Sequence, residues 1–324
     1  SNKIGLFEMA TGTGKTLTAI YCMIKDSVES KKQKNIIVVP GKELVVQWKK
    51  EMEDCGFSRI ICWHSGNSRL NKQKQDVAIL KSSNKPLNII ITYNSFSSKT
   101  FAKIFEKNLQ DYIVVFDEAH RMGAHGVMKA ISKLKFKKRI GLSATPFRDW
   151  DEQGSNDFIN SFFNSTEPTY SFPMEKAIKG IRLPNGKLKK FLCDYNYFPS
   201  FCCLSTDEWE EYKQWTKLIP IKDENKTINE KAALMRQMVI DKADQKIPEL
   251  IAILEKLVKE NNYSNTLVYC PKGKDMDDLE AVEHDEKIIN AIEKQVAKKF
   301  KTKINGQRFV GETIQREELL KELK

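Results

Sequence analysis

A glycine-rich stretch that ends in a lysine and a threonine lies near the start of the chain. Residues 9–16 read Met-Ala-Thr-Gly-Thr-Gly-Lys-Thr, between a short apolar run and a segment with helical periodicity. A phosphate-binding loop requires this strand–turn–helix setting, because glycines let main-chain N–H groups point at phosphate oxygens and the helix N-terminus adds a positive dipole. The usual pattern begins with glycine, and Met9 stands there instead. The residues expected to cradle phosphate are Thr11, Gly12, Thr13, Gly14, Lys15 and Thr16. Lys15 is expected to reach the β- and γ-phosphates of a bound nucleotide, and Thr16 to ligate Mg²⁺.

An acidic turn follows an apolar run about 100 residues later. Residues 117–120 read Asp-Glu-Ala-His, directly after Tyr-Ile-Val-Val-Phe. A carboxylate at the end of a buried parallel strand lies where ligands bind in such sheets. Asp117 is therefore a candidate Mg²⁺ partner, and Glu118 a candidate base or orienting group for the attacking water. Acids that only complement a helix dipole are the competing interpretation, which the upstream glycine-rich loop disfavours.

A third polar block closes another apolar run. Residues 142–148 read Leu-Ser-Ala-Thr-Pro-Phe-Arg. Ser143 and Thr145 carry small hydroxyl groups that are able to bond the acidic turn. On its own, such a block is typical of an ordinary strand-to-loop exit.

The first half of the sequence alternates strand-like and helix-like segments, which must position these blocks. Apolar runs of strand length occur at residues 4–8, 36–39, 59–63, 87–92, 112–116 and 139–143, and helical patterns at 17–28, 43–52, 70–82, 101–109 and 127–134. Continuous apolar strands separated by helices predict an α/β fold with a doubly wound parallel sheet covered on both faces.

The character of the sequence changes near Asp149. Residues 150–166 are polar and predicted to form a linker or lid, and Cys202–Cys203 resembles strand content. Helices are expected at 206–218, at 228–258 with a break at Pro248, at 285–300 and at 314–323; strands are expected at 266–270 and 307–310. This arrangement predicts a first domain over residues 1–165 and an incomplete second α/β domain over 166–324.

Composition excludes several classes of protein. The chain has 324 residues, 40% of them apolar, and a net charge of +11. No apolar run approaches the roughly 20 residues of a membrane helix, and no signal peptide opens the sequence, so we expect a cytoplasmic protein without membrane contact. The seven scattered cysteines form no CxxC pair and favour free thiols. The excess of positive charge is a weak indication of an anionic partner.

Taken in order, the three blocks resemble those of superfamily 2 helicases and translocases. Residues 36–48 resemble motif Ia, 91–96 the nucleic-acid-contacting block before motif II, and 266–270 motif IV, which opens a second RecA-like domain. Residues 310–313 with Arg316 resemble a block found later in that domain. The Asp-Glu-Ala-His and Thr-Pro-Phe-Arg sequences are similar to those of DNA-translocating branches, and residues 170–212 to bacterial restriction and phage-defence proteins.

The resemblance implies a RecA-like fold and an ATP-driven motor that moves on nucleic acid, with DNA as the expected track. It assigns phosphate and Mg²⁺ binding to Lys15, Thr16 and Asp117, and water positioning to Glu118. It implies that hydrolysis is coupled to domain closure by His120, Ser143 and Thr145. It also implies that the phosphate backbone of the nucleic acid is contacted by Pro40, Gly41 and Thr92. A nuclease or another defence-system subunit is the implied protein partner.

The family also uses motifs V and VI, which do not occur before Lys324. A phosphoryl-transfer site without its arginine finger loses several orders of magnitude in rate, so weak or absent ATPase activity is expected of this chain alone. Trp48 and Trp63 are candidates for stacking on bases, although core packing is the favoured interpretation of both.

Three alternatives stay open at this point. An RNA helicase keeps the class and changes the track. An ATP-binding switch or interaction module would use the nucleotide without motor activity. A kinase or a small-molecule ATPase on the same loop is disfavoured by the block at 143–148 and the expected strand at 266–270.

Overall fold

The computed structural model describes residues 3–65, 67, 70–83, 85–148, 154–219, 226–270, 278–301, 304 and 306. The chain divides into two compact units, Ser1–Tyr195 and Asn196–Lys324. The first unit contains every block that the sequence suggested for chemistry, except those near residues 266–270 and 310–316.

A seven-stranded parallel sheet forms the centre of the first unit. Its strands are β1 (Lys3–Met9), β2 (Lys34–Val39), β3 (Ile60–Trp63), β4 (Leu87–Thr92), β5 (Asn108–Asp117), β6 (Lys135–Ser143) and β7 (Tyr170–Phe172). The spatial order is β3-β4-β2-β5-β6-β1-β7, and all neighbours are parallel. Every residue of β2 is buried, as expected for a central strand covered on both faces. The predicted doubly wound, RecA-like α/β fold is confirmed.

Helices cover both faces of this sheet. They are α1 (Lys15–Ser30), α2 (Lys42–Asp54), α3 (Leu70–Leu80), α4 (Tyr93–Phe96), α5 (Lys99–Ile104) and α6 (His125–Ile131). One apolar cluster joins α2 to alternate residues of the central strands and includes Trp48 and Val115. The other cluster includes Tyr93 and Phe116 and lies on the opposite face, because successive side chains of a strand point to opposite sides.

The polar segment predicted to be a linker or lid is instead part of the first unit. Residues 155–163 form α7 (Ser155–Phe163), in which Ile159 and Phe163 are buried against the core. Four apolar side chains at helical spacing outweigh the polar residues between them, so the helix packs rather than remaining a connector.

The expected boundary between residues 165 and 166 is also wrong, since the first unit extends to Tyr195. The reason is β7, which pairs with β1 in register Phe7–Tyr170 to Met9–Phe172. The main-chain N–H of Ala10, directly before the glycine-rich loop, donates to the carbonyl of Phe172 at 3.0 Å. Ser171 donates to Glu8 Oε2 at 2.6 Å. A helix, α8 (Met174–Lys179), and a small hairpin of β8 (Ile181–Arg182) and β9 (Leu188–Lys189) follow.

The described residues of the second unit form helices and no strand. They are α9 (Thr206–Lys217), α10 (Lys226–Lys242), α11 (Lys246–Lys259) and α12 (Asp278–Phe300). The helix predicted from residue 206 is confirmed, with Ser205 and Glu208 completing a capping box. The predicted break falls before Pro248, which lies in the first turn of α11, where a missing N–H costs nothing.

Two expected stretches of strand in the second unit are not formed. Residues 266–270 and Cys202–Cys203 lack regular structure. Tyr269 is 87% exposed, and the described part of the chain offers this run no neighbouring strand, so its backbone groups cannot form a ladder. The expected elements at 307–310 and 314–323, and the block at 310–316, lie outside the described residues. Among the described helices, none is long and apolar enough to cross a membrane.

Candidate active site

The glycine-rich loop connects β1 to α1 through two left-handed residues. Gly12 has φ 80° and Gly14 has φ 94°, and residues that carry a side chain rarely adopt this backbone region. A Cβ atom at Gly14 would meet nothing within 4 Å, so this side of the loop is open. Thr13 fixes the turn by donating from both its N–H and its hydroxyl to the carbonyl of Ala10, at 3.3 and 2.6 Å.

Lys15 is the first residue of α1 and folds back over the loop. Its ammonium group donates to the carbonyl of Met9 at 3.2 Å. The first turn of α1 carries no acidic residue, so nothing within that turn neutralises the positive end of the helix. An open glycine-rich loop, a lysine and a helix N-terminus fit a triphosphate, and Thr16 in the same turn is available to a Mg²⁺ ion.

Asp117 ends β5 and is held by three hydrogen bonds. Its Oδ2 accepts from Trp48 Nε1 at 2.8 Å, and its Oδ1 accepts from the N–H of Glu118 at 3.0 Å. The hydroxyl of Tyr93 donates to its main-chain carbonyl at 3.0 Å. Burial raises the pKa of Asp117, while the Trp48 hydrogen bond and the charge of Lys15 lower it. A fixed carboxylate within the electrostatic range of a lysine is suited to binding a divalent cation.

Glu118 has a left-handed backbone, with φ 50° and ψ 58°. For a residue with a side chain this conformation costs about 1–2 kcal/mol. The turn ends β5 abruptly and begins a 3₁₀ helix over Ala119–Gly123. The Glu118 carboxylate lies 3.5 Å from His120 Nδ1 and stays partly exposed, as a group that contacts water must.

His120 joins the acidic turn to the third block. Its Nδ1 lies 3.1 Å from the hydroxyl of Ser143, which is fully buried. The same hydroxyl accepts the main-chain N–H of Thr145 at 3.2 Å. Partial burial lowers the pKa of His120, against the opposing charge of Glu118, so the imidazole is neutral at neutral pH. The predicted bond between the third block and the acidic turn thus runs through Ser143, with Thr145 contributing its backbone.

Strand register places the three blocks at one edge of the sheet. Glu8 of β1 is opposite Ser143 of β6, and Leu142 of β6 is opposite Asp117 of β5. Adjacent strands lie about 4.8 Å apart, so the ends of β1 and β5 are separated by roughly 10 Å. The charge of Lys15 influences the pKa of both Asp117 and His120. The structure therefore brings the sequence-predicted residues of the glycine-rich loop, acidic turn and third block into one site.

A separate cleft opens at the carboxyl ends of β2, β3 and β4. It encloses about 440 Å³, and the three residues expected to touch a phosphate backbone, Pro40, Gly41 and Thr92, all line it. The remaining lining residues are mostly polar: Lys42, Trp63, His64, Ser65, Lys74, Asn94, Ser95, Ser98 and Thr100. We call this feature the polar cleft. Small hydroxyl and amide groups, together with two lysines, are suited to contacting a phosphate backbone. Such contacts do not depend on the base sequence.

The two tryptophans considered for base stacking are core residues. Trp48 is 1% exposed and Trp63 is 2% exposed. The Trp63 ring packs edge-on against Phe101, with centroids 5.6 Å apart. Core packing is therefore confirmed for both, and stacking on bases is wrong. The sequence did not predict the hydrogen bonds from Trp48 and Tyr93 to Asp117, because no spacing reveals contacts between residues 69 and 24 positions apart.

The parallel sheet and the three aligned blocks define a superfamily 2 helicase-type domain, as the sequence predicted. Residues 1–148 match the family model described as "Type III restriction enzyme, res subunit", so this part of the chain is similar to the restriction-like branch of that superfamily.

The relatives share the sequence of this region and, in one case, of nearly the whole chain. The type I restriction enzyme EcoAI endonuclease subunit of Escherichia coli is 25% identical over 94% of this chain and 34% of its own length. A putative DNA 3'-5' helicase Rad25 of Halobacterium salinarum is 27% identical over 46% of this chain and 22% of its own length. The chain thus spans about a third or less of these relatives. Among solved structures, the helicase domain of Pyrococcus furiosus Hef aligns with 99% of this chain and 80% of that chain, at 17% identity and a TM-score of 0.44.

Proposed function

We propose that the chain contains the ATP-binding motor domain of a DNA helicase or translocase of a restriction-type defence system. The observation that carries this proposal is the common edge of β1, β5 and β6, where Lys15 lies within electrostatic range of Asp117 and His120. The polar cleft at the ends of β2, β3 and β4 supplies a second binding surface in the same unit. Relatives named as a restriction endonuclease subunit and as a DNA helicase support DNA as the track.

We propose one role for each residue at the carboxyl ends of β1, β5 and β6. The loop amides from Thr11 to Thr16 bind the phosphates, and Lys15 exchanges its bond with Met9 for one with a phosphate oxygen. ATP with Mg²⁺ supplies the anhydride bond whose hydrolysis releases free energy, and Thr16 and Asp117 are the residues that would hold the ion. Glu118 orients a water molecule and accepts its proton.

The residues behind the edge couple the site to motion. His120, Ser143 and Thr145 form a continuous chain of contacts from the acidic turn to the end of β6. A change at Glu118 therefore shifts the loop that follows Ser143. Pro40, Gly41 and Thr92 hold the phosphate backbone in the polar cleft, so that binding is salt-sensitive and independent of sequence.

Further expectations concern the rest of the molecule. The second unit is proposed to be the incomplete start of a second RecA-like domain, which the residues that resemble motif IV would open. A nuclease or another defence-system subunit is the proposed partner, and the cytoplasm the proposed location.

A binding and turnover experiment tests the proposal. The chain should bind a fluorescent ATP analogue with Mg²⁺, and duplex DNA should raise its hydrolysis more than RNA does, even where the basal rate is low. Stimulation by RNA alone would overturn the DNA assignment in favour of an RNA helicase. Failure to bind ATP would overturn the motor.

The alternative of a nucleotide-binding switch is separated by two variants. Lys15→Ala should weaken nucleotide binding and DNA-dependent function together. Glu118→Gln should leave binding intact and abolish function if hydrolysis drives motion. Retained function in Glu118→Gln together with loss in Lys15→Ala would mean that binding suffices and that the motor proposal fails.

A further inference from the structure

Two buried side chains connect the polar cleft to the acidic turn, and neither was expected to do so. Trp48 lies on α2, which begins at Lys42 directly after Pro40 and Gly41. Tyr93 follows Thr92 at the end of β4. Each of the two segments that line the cleft therefore leads, within one or two helical turns, to a donor that bonds Asp117.

The two donors approach Asp117 from opposite faces of the sheet. Trp48 belongs to the apolar cluster that contains Val115, and Tyr93 to the cluster that contains Phe116. The indole N–H bonds the carboxylate at 2.8 Å, and the phenol bonds the main-chain carbonyl at 3.0 Å. Together they fix both the side chain and the backbone of the residue that ends β5.

Both donors are enclosed in packed core. Trp48 is 1% and Tyr93 is 4% exposed, so neither has room to exchange its bond for one with water. Packed interiors transmit small displacements rather than absorbing them. A shift of α2 or of the turn after β4, caused by phosphate contacts in the cleft, must therefore move the Trp48 or Tyr93 donor relative to Asp117.

We propose that Trp48 and Tyr93 are positioning residues that carry the occupancy of the polar cleft to Asp117, and so to the nucleotide site. This inference rests on the proposed function, because it requires nucleic acid in the cleft and a Mg²⁺-nucleotide at the edge. It assigns the coupling to two hydrogen bonds, one on each face of the sheet. Linkage requires that nucleotide raise the affinity for DNA by the same factor by which DNA raises the affinity for nucleotide.

The experiment measures that factor without relying on catalysis. The affinity of the whole chain for a non-hydrolysable ATP analogue with Mg²⁺ is determined with and without saturating duplex DNA. Trp48→Phe and Tyr93→Phe each remove one donor and keep a ring. A wild-type coupling of about fivefold or more is expected to fall below about twofold in either variant, while the affinity for DNA alone stays within about twofold.

Matched controls separate positioning from packing. Tyr112→Phe removes a buried phenol hydroxyl that has no hydrogen-bond partner among the described residues, from the same strand as Asp117. Phe105→Leu shrinks a buried ring that packs on Tyr112, in the same apolar cluster as Tyr93 but outside the lining of the cleft. Both controls should keep the wild-type coupling, and thermal unfolding verifies that each variant is folded.

The outcomes are distinguishable. Wild-type coupling in folded Trp48→Phe and Tyr93→Phe would overturn the inference, as would equal loss of coupling in the Tyr112→Phe and Phe105→Leu controls. Uncoupled binding of DNA and nucleotide in the wild type would also overturn it. The motor proposal would stand in that case, because it is tested separately by ATP binding and by the Glu118→Gln variant. If Trp48→Phe does not fold, the milder Tyr93→Phe decides the result alone.

Discussion

The proposed nucleotide site at the carboxyl ends of β1, β5 and β6, which we call the nucleotide edge, differs in construction from the polar cleft. Both lie at the carboxyl ends of strands in one sheet. The edge depends on backbone conformations, with Gly12, Gly14 and Glu118 all at positive φ. The cleft depends on uncharged side chains such as Thr92, with Lys42 and Lys74 as its cations. A fixed backbone conformation is suited to binding a ligand of one shape. Polar side chains that exchange one phosphate contact for the next are suited to a repeating phosphate backbone that moves along the cleft.

The sharpest test of this contrast is Glu118→Gln. Removing the base should slow ATP hydrolysis by about 10²- to 10⁴-fold, while nucleotide and DNA affinities stay near wild type. Single-turnover hydrolysis with protein in excess provides the measurement at low basal rates. Glu167→Gln, an exposed position in the same unit, should hydrolyse ATP as the wild type does. Hydrolysis within tenfold of wild type in Glu118→Gln would remove Glu118 from the reaction.

Lys15→Ala should affect only the edge. Losing a charge-assisted contact with a phosphate costs about 1.5–3 kcal/mol, which corresponds to a roughly 10- to 150-fold weaker affinity for an ATP analogue. DNA affinity without nucleotide should not change. Titration of a fluorescent analogue measures the effect, and Lys25→Ala on the same helix is the control. Equal losses of nucleotide and DNA affinity would mean that the two sites are not separate.

Lys42→Ala and Lys74→Ala should produce the opposite pattern. Each should weaken DNA binding severalfold and reduce the dependence of log K on log salt by about 0.9, as one lost phosphate contact predicts. Nucleotide affinity measured without DNA should stay unchanged. Fluorescence anisotropy over a salt series gives both values, with Lys50→Ala, exposed on the same helix as Lys42, as the control. An unaltered salt slope in both variants would place the DNA elsewhere.

The smallest expected effect concerns the titration of His120. Because burial lowers its pKa, the imidazole should titrate below the ordinary value of about 6.5. Its neutral form is then favoured in the folded state, so its contribution to stability is lost as pH falls below the unfolded pKa. Glu118→Gln removes a negative charge that raises this pKa and should lower it further. NMR titration of the four histidines, assigned with His120→Asn, measures both shifts; an upward shift in Glu118→Gln would contradict the contact.

Sequence patterns were sufficient to predict strands that are buried on both faces and sites whose chemical groups lie on consecutive residues. The strands at 36–39, 87–92 and 112–116 were predicted because apolar residues on both faces leave few other folds. The glycine-rich loop and the acidic turn were predicted because their chemistry resides in consecutive residues. The helix expected over 101–109 instead ends at Ile104, since Glu106 and Lys107 take φ 51° and 60° and turn the chain into β5.

Patterns failed where a distant partner decides the outcome. Trp48 and Asp117 are 69 residues apart, and only the packing of α2 against the sheet brings the indole N–H to the carboxylate. The run at 266–270 has the composition of a strand, but a strand requires a neighbour to complete its ladder. Residues 155–163 look polar in sequence, yet their apolar side chains meet on one face once helical.

The short strand at Tyr170–Phe172 has a consequence for dissecting this molecule. It covers the outer side of β1 and bonds the residue that precedes the glycine-rich loop. A fragment that ends at residue 165, by proteolysis or by design, would leave β1 as an exposed edge strand. Its unpaired backbone groups could then pair with another molecule. Domain mapping would then report an aggregating fragment, although the whole glycine-rich loop was still included.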